Sequence, residues 1–558
     1  MSFTRLLAAL AVSTATFALP IAGANVAIAQ PADFRARAEA MVEAAYPADG
    51  PGAAVVVMRG GRVIYAAGRG LADLETRRPI TPDSVFKLGS IVKQFTAAVV
   101  LQLVAEGRIS LDDPIARFFP DFPEPAARAT VRQLLNHTSG INDYTKIPGW
   151  IARAGTRSWT TAELVAEVRS RPAESEPGTV WEYNNAGYAL LGAIVEQVTG
   201  RPWHEAVRDR IARPLGLTTI EYAVTGEAEP AMVRGYTDAD GRPQPARRVD
   251  MSVAGAAGGL VGSAADLARW AQALHHGRVV RPDLYQEMIR PAPLADGSTR
   301  PYGMGLRLQQ LRGRPVLVHG GAGAGLDTDS VYVPSEDLFV AVFSNSDDPA
   351  TDPSTLTRRL AMLALGDPFP DFRRAEVPVA AVEPLFGAYR GAAGPDFRFF
   401  ARDGKYYVAR GDDEMEAIPA GGDLFFFGRD ALLWVGFTRR VDGAHVLEVH
   451  EAAAAEPIRA VRAGAAPPPF TVAANVLRSY AGTWRTETIT VTIVLGENGA
   501  LTLTPAGQGP LPMRPVSETE FRIEGTPMRL VFHPENGAVN RFTMHRGARE
   551  LHGERVGG

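Results

Sequence analysis

"DSVFKLGSIVKQF", residues 83–95, holds the pattern Ser-x-x-Lys twice, as Ser84-Val-Phe-Lys87 and Ser90-Ile-Val-Lys93. A serine and a lysine one helical turn apart share a helix face, so they can serve as a nucleophile and its base. Two overlapping copies cannot both do so, and their surroundings separate them. Ser90 follows Gly89 and opens the run "SIVKQFTAAVVLQLV", which surrounds Lys93 with apolar residues on nearly every face. There the Ser90 hydroxyl lies over a helix N-terminus and its own N–H is free to face an oxyanion. A lysine buried in such a run loses hydration, which lowers its pKa towards that of a usable base; arginine stays protonated. Lysine is also scarce, at Lys87, Lys93, Lys146 and Lys405, while arginine is abundant. Ser84 follows Pro82-Asp83 and precedes Val-Phe, a turn entering a strand, and Lys87 is expected to be exposed. The plainer reading of Ser90 is a helix N-cap.

Outward from this stretch, residues 33–365 mix helix and strand patterns. "MVEAAYPADGPGAAVVVMRGGRVIYAAGRG" reads as a helix and then two strands around the Gly60-Gly61 turn. A helix is expected from about Ser90 to Glu106, ended by Gly107. Residues 110–290 carry further helix signals, and strands return at "RPVLVHGG", "TDSVYVPSED" and "LFVAVFSN". The expected fold class is α/β of the α+β kind, a mainly antiparallel sheet flanked by helices with a helical subdomain. A Pro-containing linker near 371–384 follows, then short strands to the end, divided by "AGAAPPPFTVAA". The two halves look duplicated: "FGAYRG" matches "RSYAGTW" and "DGKYYV" matches "NGALTL". Two small antiparallel β-barrels are the economical solution, because closure removes sheet edges. The expected domains are 30–372, 384–465 and 475–558.

Residues 1–29 read as an export signal: Arg5, an apolar run from Leu6 to Leu19, and a small-x-small cleavage site at Ala27-Ile28-Ala29, with a cut after Ala24 as the alternative. The mature protein is therefore expected to be exported, to a periplasm or the medium. No later run is long and apolar enough for a membrane span. The net charge of -4 argues against nucleic acid as a partner. The absence of cysteine excludes disulfides, thiolate nucleophiles and Cys-based metal sites. The histidines have no ligand spacing, and the adjacent His275 and His276 would point about 100° apart on a helix, so no metal is expected.

Two distant stretches add chemistry. "GTVWEYNNAGYALLG" places Tyr183 and Asn185 just before a helix. A phenol beside a lysine can share its proton work, and the amide can orient lysine and substrate. "RPVLVHGGAGAG" puts His319-Gly320-Gly321 at a strand end, where glycines let a substrate backbone approach and the histidine can donate to a substrate or to Tyr183. Taken singly, each stretch is also an ordinary turn.

In this order the three sets resemble the serine β-lactamase and penicillin-binding protein superfamily, nearest its class C-like branch of esterases, D-aminopeptidases and DD-peptidases. "LLNHTSGI", "AGGLVGSAADLARW" and "YGMGL" extend the resemblance over about residues 50–370. It implies Ser90 as the acylated nucleophile, Lys93 and Tyr183 sharing acid and base roles, and Asn185 orienting Lys93 and the substrate. It also implies an oxyanion hole from the N–H groups of Ser90 and Ala322, beside Gly320 and Gly321, and no cofactor. The implied partner is a small-molecule or short peptide substrate, D-amino-acid-containing or peptidoglycan-derived. Many β-lactamases and DD-peptidases carry lysine where this chain has His319. A neutral histidine anchors a carboxylate more weakly, which favours an esterase or D-aminopeptidase over a DD-carboxypeptidase or class C-like β-lactamase. The D-aminopeptidase relatives also carry two C-terminal barrels. Three rivals remain. An α/β-hydrolase lacks support because no Gly-x-Ser-x-Gly elbow surrounds Ser90. A penicillin-binding sensor or pseudoenzyme would keep the same motifs, and a sugar-binding scaffold would use aromatics such as "DLFFFGRDALLW".

Overall fold

The computed structural model describes residues 31–556 except 223–231, 393–395, 412, 429, 465–470, 487–488, 497–498, 524–525, 527, 536–537 and 547–548. The expected export signal, and residues 465–470 of the linker before the second barrel, lie outside the described residues. Two compact units emerge: one ends at Asp371 and also takes Glu451–Glu456, and the other comprises Phe372–His450 and Pro457–Gly558.

In the first unit helix α1 (Pro31–Ala45) leads into strands β1 (Ala53–Arg59) and β2 (Arg62–Arg69), joined at Gly60-Gly61. A short 3₁₀ turn, Gly89–Ile91, then enters α2 (Val92–Ala105). Every residue of α2 from Val92 to Leu101 is buried, so it is a core helix and not an amphipathic surface one. Helices α3 (Asn185–Thr199) and α4 (Ala264–His275) follow, then β3 (Arg307–Leu311), β4 (Arg314–Gly323), β5 (Leu326–Val333), β6 (Leu338–Ser344) and α5 (Pro353–Ala364). The sheet has the order β3-β4-β5-β6-β1-β2 with every pair antiparallel. The terminal strands of the unit thus meet at β1–β6, and the helical segment is inserted between them.

Side chains alternate across the sheet. Thr328 of β5 donates to the Leu88 carbonyl at 3.4 Å, on the face towards α2, whereas its neighbour Asp329 meets Thr357 and Arg358 of α5 at 2.6 and 2.7 Å on the other. Helix α4 joins the α2 side, where Phe95 stacks on Trp270 with centroids 4.1 Å apart. β3 pairs with β4 only from Arg314 to Val318, so it leaves the edge from His319 onward uncovered. This uncovered edge lies beside the Ser90 turn.

The second unit contains two closed eight-stranded antiparallel barrels, spanning Gly387–Gly464 and Gly482–Arg555. Each has its own aromatic core. The duplication survives in a shared device: the Tyr389 hydroxyl donates to the Leu385 carbonyl, and the Trp484 indole donates to the Tyr480 carbonyl at 3.2 Å. In both, a buried ring satisfies its polar atom on the chain just before the first strand. Among the described residues no helix is long and apolar enough to cross a membrane.

Candidate active site

The two Ser-x-x-Lys copies end in different places. Ser84 is buried in a turn, where its hydroxyl accepts from the Thr81 N–H at 2.9 Å; Phe86–Lys87 is a short strand. Lys87 is half-buried and not exposed as expected, because that strand pairs with Leu260–Gly262; burial and Arg248 lower its pKa. Neither residue is among those that line the cleft described below. Ser90 sits on the 3₁₀ turn and Lys93 on the first turn of α2, with Lys93 Nζ 3.3 Å from Ser90 Oγ.

Lys93 is fully buried, and among the described residues its Nζ meets three hydrogen-bond partners: Ser90 Oγ, the Asn185 Oδ1 at 2.8 Å and the Ala257 carbonyl at 3.0 Å. Burial lowers its pKa from 10.5 to about 7; Asp143 opposes the fall and Arg307 adds to it. A neutral amine has two protons and one lone pair. The Asn185 and Ala257 carbonyl oxygens can only accept, so they take both protons. The lone pair is then left facing Ser90 Oγ, the direction a general base requires.

Tyr183 lies across this pair. Lys93 Nζ is 4.8 Å from its ring centroid, and the Arg307 guanidinium is 5.3 Å from the same centroid. Its hydroxyl is buried and completes no hydrogen bond, yet Ser90 is near enough to draw its pKa down; burial dominates and pushes it up to about 12. At neutral pH it is therefore a phenol with a proton to give. Asn185 is the first residue of α3, capped by the Asn184 side chain, which accepts from the Gly187 N–H at 2.8 Å.

His319 is buried at the point where β3 stops covering β4. Its Nδ1 is 2.8 Å from the Gly320 carbonyl, which can only accept, so Nδ1 carries the proton. Nε2 then accepts from the Tyr302 hydroxyl at 3.1 Å. The expected donation from His319 to Tyr183 or substrate is thus replaced by a pairing with Tyr302. Burial and the adjacent Lys93 push its pKa down to about 3, so it stays neutral across the physiological range. Gly321 explains the glycines: a Cβ there would stand 2.2 Å from the Leu88 carbonyl oxygen. Gly89, at φ 53°, lies against Gly321–Ala322, so the chain entering Ser90 runs alongside that strand end.

These groups line an open cleft of about 380 Å³ that includes Ser90, Tyr183, Arg307, His319, Gly320 and Ala322. The cleft continues over the glycine edge to Asp327, whose carboxyl is pushed up to about 7 by burial and by Asp329 and Asp352. Arg307 is exposed and among the described residues forms no salt bridge. Five groups were not evident from the sequence: Asp143, Thr145, Tyr302, Arg307 and Asp327. Tyr302 opens "YGMGL" and Arg307 follows it directly; Asp143 comes two residues after "LLNHTSGI". The signal for each was proximity to a motif, with nothing in the residue itself to mark it.

A family model described as Beta-lactamase matches residues 39–364. The chain is 31% identical to a D-aminopeptidase of Gluconobacter oxydans over 64% of this chain and 66% of that protein. It is 31% identical to a D-aminopeptidase of Brucella anthropi over 61% and 63%. The chain thus spans just under two thirds of the length of these relatives. Among solved structures, the octameric penicillin-binding protein homologue from Pyrococcus abyssi aligns with a TM-score of 0.54 at 26% identity, covering 76% of this chain and 99% of that one. A D-stereospecific amidohydrolase from Streptomyces sp. aligns with a TM-score of 0.51 at 30% identity, covering 59% and 98%.

Proposed function

The chain belongs to the beta-lactamase family, and on that premise we propose that it is a serine hydrolase that acylates Ser90 and cleaves amide or ester bonds at D-configured substrates. The observation that carries this reading is the buried Lys93 amine, its pKa brought down to about 7 and, when neutral, its lone pair directed at Ser90 Oγ. Ser90 Oγ attacks the substrate carbonyl carbon and its proton passes to Lys93 Nζ. The oxyanion is met by the N–H groups of Ser90 and Ala322. As the C–N or C–O bond breaks, the leaving atom takes the Tyr183 proton, and the phenolate recovers one from the Lys93 ammonium. Water repeats the sequence on the acyl-serine and releases the acid, returning every proton.

A D-aminopeptidase-like or esterase-like range is supported by the two D-aminopeptidase relatives and by the neutrality of His319. Asp327 in the same cleft offers a free α-amine a carboxylate. One observation favours a second reading. Arg307 supplies a permanent cation beside Tyr183, which makes up for the lysine that His319 replaces and suits a substrate carboxylate, as in a DD-carboxypeptidase. A fluorophosphonate should label the wild type and Ser84→Ala but not Ser90→Ala; equal labelling of Ser90→Ala would end the proposal. A panel of a D-alanine anilide, a short acyl ester, a D-Ala-D-Ala peptide and a chromogenic cephalosporin then ranks the substrates. Loss confined to the D-Ala-D-Ala peptide in Arg307→Ala would select the second reading.

A further inference from the structure

Behind Asn185 lies a hydrogen-bond chain whose direction can be read from its far end. Asp143 is 1% exposed and caps the short 3₁₀ turn Tyr144–Lys146. Its Oδ1 accepts from the Thr145 N–H at 3.0 Å and from Thr145 Oγ1 at 2.7 Å, and its Oδ2 accepts from the Asn185 N–H at 2.8 Å. A carboxylate has no proton to give, so the single hydroxyl proton of Thr145 is committed to it. The Thr145 oxygen can then only accept from Asn185, so the 2.8 Å contact between them must come from Nδ2–H. With Nδ2 on Thr145, Oδ1 has to face Lys93, where it stands at 2.8 Å. Turning the amide over would set acceptor against acceptor at Thr145 and would draw the Lys93 lone pair onto Nδ2–H, away from Ser90.

We propose that Asp143 and Thr145 are positioning residues for the base: they set the orientation of the Asn185 amide and so the direction of the Lys93 lone pair, while the Asp143 charge steadies Lys93. The inference rests on the reading of Lys93 as the base. Other groups face Lys93 too. The Tyr183 and Tyr188 rings lie 4.8 and 5.4 Å from Nζ. Arg307 lowers its pKa, and the buried His137 and His319 are held neutral, chiefly by burial and then by Lys93 itself. Asp143 is the anion acting on Lys93 from this shell, and it draws the pKa upward.

The chain has four lysines, so ¹³Cε-lysine NMR on the full-length protein can follow Lys93 directly, with Lys93→Arg as the assignment control. Asp143→Asn should move the Lys93 midpoint, and the acidic limb of kcat/KM with it, down by about one pH unit. Thr145→Ser should keep the wild-type rate, while Thr145→Val should lose about tenfold or more in acylation with the fold intact. An unmoved midpoint in Asp143→Asn, or equal rates in the two Thr145 variants, overturns the proposal. Should Asp143→Asn fail to fold, the Thr145 pair decides alone. Persistent labelling of Ser90→Ala would instead remove the acyl-serine reading, and the Lys93 titration would still judge the relay.

Discussion

The acidic limb of acylation should belong to Lys93 and lie near pH 7. The drop from the ordinary 10.5 to about 7 corresponds to about 5 kcal/mol against the ammonium, at about 1.36 kcal/mol per pH unit. At pH 7 about half of Lys93 is then neutral, against about 0.03% for an unperturbed lysine, a gain of about a thousandfold in competent enzyme. Below the limb the rate should fall about tenfold per pH unit, and above about pH 9 it should be flat. The sign follows from the role: a base must be deprotonated, so protonation on acidification removes activity. The assay is single-turnover labelling of Ser90 by an uncharged fluorophosphonate from pH 5 to 10. Lys93→Arg should lose the limb and about a thousandfold in rate, because guanidinium stays charged. His319, at about 3, cannot supply a limb at 7. Asp327, also about 7, could, so Asp327→Asn is the control and must leave the limb in place. A wild-type limb near 10, or one that moves in Asp327→Asn and persists in Lys93→Arg, would refute the reasoning.

Three further outcomes are expected. Gly321→Ala would place a Cβ 2.2 Å from the Leu88 carbonyl oxygen; the strand must shift away from Ser90, so labelling should fall by about a hundredfold while circular dichroism stays native. Trp484→Ala should destabilise the second barrel by about 3–5 kcal/mol in urea unfolding, because it empties a fully buried ring site and orphans the Tyr480 carbonyl; a loss below about 1 kcal/mol would contradict that packing. N-terminal sequencing of the protein recovered outside the cytoplasm should start at Gln30 or Asn25; an intact Met1 there would exclude the export signal.

Much of the site was legible because its chemistry is local. Ser90 and Lys93 are three residues apart, on a 3₁₀ turn and the helix it enters, and the apolar run that buries the lysine is continuous with them. The strand pair around Gly60-Gly61, the late return of strands and the doubled barrel pattern were legible for the same reason: periodicity and turn residues act over a few positions. Lys87 went astray because its burial comes from a strand about 170 residues further on, at Leu260–Gly262.

The amino-acid order by itself therefore determined which serine and lysine could work together, the antiparallel sheet split around a helical insert, and the two barrels after it. Periods of 2 and 3.6 residues are properties of the chain. Tertiary structure alone decided the electrostatics. His319 is neutral because burial and Lys93 disfavour its cation, and its Nε2 belongs to Tyr302. Arg307 returns a positive charge to the cleft that the third motif had given up. The direction of the Lys93 lone pair follows from Asn185 and from Thr145 and Asp143, which lie 40 and 42 positions before it in the chain. Desolvation and hydrogen-bond direction depend on what surrounds a group from every side, and no stretch of sequence carries its own surroundings.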